Sequence, residues 1–239
     1  MPLSEDAHAL AHRLIDGAEK TFANAEALFQ EATILANSGA WPRALFLHQI
    51  ALEECAKVDS LGAAVISVFM GHEVDLDRLR RAFRRHEYKN KANAYWLPVT
   101  ENERQARDSG DFGAAREAFK QLQADFHEES NDDKNASLYV DFAEAFTSPL
   151  DIVSEEDFAK VRGRNEEFMS IAFQHIRMLR GYAGDLDRAA ADVTEALSVL
   201  GITDIERGGT DQFKPFLDSF DDKLQELVRK RRAELGGGG

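Results

Sequence analysis

The sequence predicts an all-α protein with one short extended segment. Apolar residues recur at a helical period over stretches of up to about eight turns. The breaks between those stretches carry cap and turn residues, and no β-forming run is followed by a crossover helix or a glycine-rich phosphate loop.

Taken in order, Ser4 is suited to cap a first helix whose apolar residues recur at Leu10, Leu14, Ala18, Phe22, Ala25, Leu28, Phe29, Ala32 and Leu35, and Gly39 ends it. Trp41-Pro42 restarts the chain with Pro42 at a first helical position. A second helix over 44–70 then runs through Leu45, Leu47, Ile50, Ala51, Val58, Leu61, Val65 and Val68. The short link 71–75 makes the first two helices antiparallel neighbours. Asp75 caps a third, basic helix that ends near Asn93, before the connector Tyr95-Trp96-Leu97-Pro98.

Thr100 and Glu103 have capping-box spacing and start a fourth helix, which Ser109-Gly110-Asp111 interrupts and 112–126 continues. The polar run 128–135 reads as a loop, and 137–142, Ser-Leu-Tyr-Val-Asp-Phe, as an extended segment whose apolar residues pack against the bundle. Ser154 and Asp157 open a long helix that ends at Gly184-Asp185; a shorter helix over 186–200 follows. A last helix follows Gly208-Gly209-Thr210, with Pro215 tolerated in its first turn. The expected organisation is a helical domain over 4–200, a C-terminal helix over 201–235 packed on it, and a glycine tail over 236–239.

Composition narrows the function. A hydrophobic content of 44% over 239 residues supplies a core, while a formal net charge of −14 argues against a protein that coats DNA through many phosphate contacts. The longest uncharged apolar run, 61–71, is far short of the roughly 20 residues that cross a bilayer, so no membrane partner and a cytoplasmic location are expected. Cys55 is the single cysteine, which excludes an intrachain disulfide and suits a buried structural thiol in a reducing compartment.

Against that acidic background, residues 78–91 (RLRRAFRRHEYKNK) hold seven basic residues and only Glu87 as an acid, a local charge of +6. His86 lies within this island, and histidine is the side-chain type that ordinarily titrates near neutrality. His86 with Lys89, and Arg85 with Lys89, have helical i,i+3 and i,i+4 spacing and share one side. Arg81 stands five positions before His86, about 140° around a straight helix, so their convergence requires a bend, long reach, or a second copy across a dimer axis. On the second helix Glu53 and Lys57 are spaced as an i,i+4 pair, and Glu53 or Glu54 could orient a cation while Lys57 meets a phosphate. His8 and His12 are also i,i+4, but no third ligand is adjacent, so neither a metal nor another cofactor is expected.

Three stretches together resemble the AbiV abortive-infection family of bacterial anti-phage proteins: 44–57 with Ala51-Leu52-Glu53-Glu54-Cys55-Ala56-Lys57, 84–89 with His86-Glu87-Tyr88-Lys89, and 134–142 with Leu138-Tyr139-Val140-Asp141-Phe142. The resemblance covers roughly residues 5–190. It implies a HEPN-like up-and-down helical bundle with additional C-terminal helices. It further implies a metal-independent endoribonuclease whose Arg-x(4–6)-His motif would be Arg81 and His86, with Arg80 fitting at the longer spacing. Unlike the usual pattern, an apolar residue, Ala82, directly follows Arg81. Glu53, Glu54, Lys57 and Lys89 would support the site, and Arg80, Arg84, Arg85 and Lys91 would contact RNA.

The chemistry suits the residues independently, because RNA brings its own nucleophile in the 2′-OH and needs only proton transfer and charge stabilisation. The expected partners are a second copy of the chain, RNA such as tRNA, mRNA or ribosome-associated RNA, and a phage-encoded activator or neutralising protein. Two other readings remain open: a non-catalytic protein that inhibits translation or senses phage by binding a phage or host protein, and a helical scaffold whose cationic face pairs only with its own acidic helices.

Overall fold

The computed structural model describes residues 2–199 other than Ala143. The expected helix over 201–235 and the glycine tail lie outside the described residues. Helices dominate: α1 (Glu5–Asn37), α2 (Trp41–Phe69), α3 (Leu76–Phe83), α4 (His86–Asn93), α5 (Glu101–Asp108), α6 (Phe112–Ala136), α7 (Pro149–Ile152), α8 (Glu155–Ala183) and α9 (Leu186–Val199). A one-turn 3-10 helix, Ala94–Trp96, follows α4, and a two-stranded antiparallel hairpin pairs β1 (Asp141–Phe142) with β2 (Phe146–Thr147). One compact unit extends to Ala191; the described part of a second, from Asp192, is the remainder of α9.

The caps expected from the sequence form: the side chains of Ser4, Asp75, Thr100 and Ser154 accept backbone N–H bonds at the starts of α1, α3, α5 and α8, and Ser154 completes a reciprocal capping box with Asp157. Asp111, read only as part of an interruption, caps α6 in the same way. Gly39 turns the chain after α1 with φ +77°, in the left-handed region that favours glycine.

The organising element of the compact unit is α2, which packs against α1, α4, α6 and α8. A helix surrounded in this way is buried on most faces, and α2 buries Leu45, Leu52, Val58, Leu61, Val65 and Val68. It also buries His48, Gln49, Glu53 and Glu54, and such polar groups must find partners inside the bundle. Cys55 is buried with its Sγ 3.5 Å from the Met169 sulfur, and burial pushes its thiol pKa up, so it is held as an inert thiol.

Three expectations are corrected. The run 128–135 is not a loop: α6 continues to Ala136, because Phe126, Ser130 and Lys134 recur at i,i+4 as a buried stripe and no glycine or proline stops the helix. The extended segment packs only at its start: Ser137 is buried and Leu138 half-buried, but Tyr139, Val140 and Phe142 are all exposed and only 141–142 forms a strand. The basic helix is not continuous. It ends at Phe83, Arg84 closes the turn, and Arg85 is extended (φ −103°, ψ 116°) before α4 restarts at His86.

Candidate functional site

The helix break at Arg85 frees α4 to lie against α2, where it brings two of its side chains to one carboxylate. Glu53 is 4% exposed, and its oxygens lie 2.6 and 2.7 Å from His86 Nδ1, with Lys89 Nζ at 2.5 Å and Lys134 Nζ, from α6, at 3.3 Å. Lys89 and Lys134 are nearly as buried as Glu53, whereas half of the His86 side chain is open to solvent. Asn93, one turn beyond Lys89, donates its amide N–H to the Leu52 carbonyl at 2.7 Å and pins the far end of α4 to α2.

The electrostatics follow from this geometry. Burial by itself would push the Glu53 pKa up; the hydrogen bond and charge of Lys89, the charge of Lys134 and the hydrogen bond from His86 together outweigh it and hold the carboxyl below its usual range. Glu53 is therefore an anion held by two buried ammonium groups. A nitrogen facing a carboxylate carries the proton, so His86 Nδ1–H donates to Glu53 and the exposed Nε2 of a neutral ring is left as the acceptor. This pairing orients the imidazole and fixes its tautomer. His86 also stands at the first position of α4, and its N-cap, Arg85, supplies no capping side-chain bond. First-turn N–H groups without a side-chain cap favour an anion beside the ring.

The remaining predicted residues are placed differently. Glu53 does not pair with Lys57; Glu54 takes that lysine at 2.5 Å, while Glu53 turns toward α4 and α6. Lys57 also lies 5.9 Å from the Phe83 ring centroid. Arg85 does not share a side with Lys89: it sits outside α4 and pairs with Glu87 at 3.0 Å, and Lys91 meets the same Glu87 at 2.8 Å. Arg80 pairs with Asp77 at 3.0 Å. Arg81 is on α3, across the break from His86, exposed, and its side chain makes no hydrogen bond or ion pair with a described residue. Arg84 is likewise exposed. His8 bonds Asp187 at 3.0 Å.

Lys134 is the participant that sequence reasoning missed. Its signal was its place at the head of the third motif stretch, hidden by the reading of 128–135 as a loop. The three stretches thus meet at one point, since Glu53 belongs to the first, His86 and Lys89 to the second and Lys134 to the third.

Two further polar clusters stand on α2. Asp59 accepts from His175 Nδ1 at 2.7 Å and from the Trp96 indole N–H at 2.5 Å, tying the 3-10 turn and α8 to α2. His48 is fully buried between Phe29 and Phe158, with Nδ1 2.9 Å from the Asn165 amide nitrogen; burial, and then the charge of Arg162, lower its pKa to about 4.

The fold is an all-α bundle of the HEPN-like class. The family model described as AbiV, of the HEPN group, matches residues 13–170, and the chain belongs to that family. All four residues of the Glu53 cluster fall inside the match. The uncharacterized protein y4gJ of Sinorhizobium fredii (strain NBRC 101917 / NGR234) is 37% identical over 111 residues, which are 46% of this chain and 58% of that protein. The chain therefore spans little more than half of that relative's length. No solved structure matches the chain. Among the described residues no helix is long and apolar enough to cross a membrane.

Proposed function

We propose that this AbiV-family protein is a metal-independent endoribonuclease that blocks translation during abortive infection, with His86 as its proton-transfer residue. The observation that carries this reading is the His86 Nδ1–H bond to the buried anion Glu53, which leaves Nε2 of this half-exposed ring as the acceptor beside an uncapped helix start. In the proposed reaction, Nε2 takes the proton of the RNA 2′-OH as that oxygen bonds to phosphorus. The bond to the 5′ oxygen breaks, a proton from water completes the 5′-hydroxyl, and a 2′,3′-cyclic phosphate remains.

Glu53, Lys89 and Lys134 act through His86 as positioning residues, since their burial keeps them from the phosphate. Charge on the phosphate oxygens is met by the first-turn N–H groups of α4 and by the exposed guanidinium groups of Arg81 and Arg85.

The test is incubation of the purified protein with total RNA in EDTA, followed by end-group analysis. Cyclic phosphate ends that vanish with His86→Ala support the enzyme. A second reading, a non-catalytic protein that binds a phage or host protein, is favoured by the internal pairing of Lys57, Arg80, Arg85 and Lys91, which competes with RNA phosphates for those cations. Intact RNA together with retained growth inhibition would select it.

A further inference from the structure

Leu76, Leu79 and Phe83 recur at i, i+3 and i+7 and make an apolar stripe along α3. Such a stripe ordinarily closes on its neighbours. Here it does not: α3 buries none of its residues, and Leu76 is 37% exposed. A cleft of about 450 Å³ lies between the stripe and the buried side chains of Leu14 on α1 and Leu61 on α2. That volume is within the range of sites that take a small ligand or one unit of a polymer.

Lys57, Arg80 and Arg84 line the rim of this cleft. Lys57 holds Glu54 and Arg80 holds Asp77, whereas the exposed Arg84 guanidinium makes no hydrogen bond or ion pair with a described residue. An apolar slot with cations at its edge suits a group that has a flat apolar body and an anionic handle. Position narrows the choice. Arg84 stands two residues before His86, and Lys57 one helical turn beyond Glu53, the carboxylate that holds His86.

We propose that the α1–α2–α3 cleft is a base subsite, which takes one unpaired base of an RNA strand from a nucleotide adjoining the phosphate at His86. The inference rests on the ribonuclease reading for the place of that phosphate. The base lies among Leu61, Leu76, Leu79 and the Phe83 ring, and the phosphate of its own nucleotide meets Arg84. The polar side chains of the lining are all donors at the rim and none belongs to the floor, so the cleft holds a base by its face and does not read its edge. A base paired in a duplex is already stacked and cannot enter. The subsite therefore selects single strands, with little preference for sequence.

The experiment measures binding by the full-length His86→Ala chain in EDTA, so that the proposed cleavage does not consume the strand. The probes are a labelled oligoadenylate of about ten nucleotides, a length within the usual single-strand site size, and a ribose-phosphate strand of the same length without bases. Both carry the same phosphates, so their salt slopes should agree, while the oligoadenylate should bind about tenfold tighter or more. Adding Phe83→Leu, or Leu76→Glu, should reduce that difference to about threefold or less by removing the ring or by filling the slot with a carboxylate. Leu76 is the exposed first residue of α3, where glutamate is favoured, so this variant carries the test if Phe83→Leu melts early. Equal affinity for the two strands overturns the subsite, and so does a difference that neither variant changes; cleavage of RNA in EDTA by the parent would then leave the ribonuclease reading standing. If neither strand binds, the subsite falls and the cleft is left to a protein partner, and the ribonuclease reading falls with it only if the parent also leaves RNA intact.

Discussion

Lys89 and Arg81 are both cations of the same fourteen-residue basic stretch, yet they stand in opposite environments. Lys89 is buried with its ammonium on Glu53 at 2.5 Å, while Arg81, on the other side of the Arg85 break, is exposed to solvent. A charge in the interior must be compensated, so the position of Lys89 is determined by Glu53 and Lys134 together. A charge in water costs little wherever it points, so Arg81 is free to meet something outside the chain. Equal formal charge thus divides into a structural part and an interacting part, and burial draws the line between them.

The sharpest way to break this comparison is to remove the shared anion. Glu53→Ala leaves Lys89 and Lys134 buried without a countercharge and is expected to cost about 3–5 kcal/mol of stability, read by urea denaturation. A cost near zero would mean that water already compensates the lysines.

His48 tests the interior in a different way. Its folded pKa of about 4 lies below the ordinary 6.5, so the unfolded chain binds the extra proton between those values and stability rises with pH there. This contribution is complete above about pH 6.5, is lost as pH falls toward 4, and amounts to about 3 kcal/mol at most. Replacing His48 with Phe should flatten that part of the stability profile, and an unchanged slope would refute the assignment.

Next in size, Lys134→Met should cost about 1–3 kcal/mol by removing one hydrogen-bond partner of a buried carboxylate while leaving Lys89 in place. His86→Ala sharpens the comparison most, because its ring is half exposed: the expected stability change is under about 1 kcal/mol, whereas RNA cleavage should fall by about 10²- to 10⁴-fold. Smallest in stability is Arg81→Ala, within about 0.5 kcal/mol of the parent. Its effect belongs to RNA affinity, which should weaken for all sequences, with the salt dependence losing a slope of about 0.7 for the lost contact. A large loss of stability with unchanged RNA affinity would place Arg81 on the structural side of the division.

Much of the architecture was legible from local chemistry. The caps at Ser4, Asp75, Thr100 and Ser154 and the interruption at Ser109-Gly110-Asp111 are set by short-range hydrogen bonding and backbone preference, so residues within one turn specify them. The long apolar periods of α1, α2 and α8 likewise predict which faces go inside. The AbiV resemblance rested on three motif stretches, and the residues that meet at Glu53 were all within them.

Tertiary structure decided the rest, for reasons of packing rather than local preference. Nothing in Phe83-Arg84-Arg85-His86 announces a helix break; no glycine or proline is present, and the break is set by contacts of His86, Lys89 and Asn93 with α2. The polar run 128–135 looked like a loop because its composition is polar, but a helix can bury Ser130 and Lys134 on one face when the neighbouring helix supplies an acid. The i,i+4 spacing assigned Lys57 to Glu53, but it pairs with Glu54, because two lysines from other helices already hold Glu53. Period-two alternation suggested a packed segment at 137–142, but Tyr139, Val140 and Phe142 stay in solvent. Periodicity and caps are properties of neighbours in the chain, whereas the partner of a buried charge is a property of which helices meet.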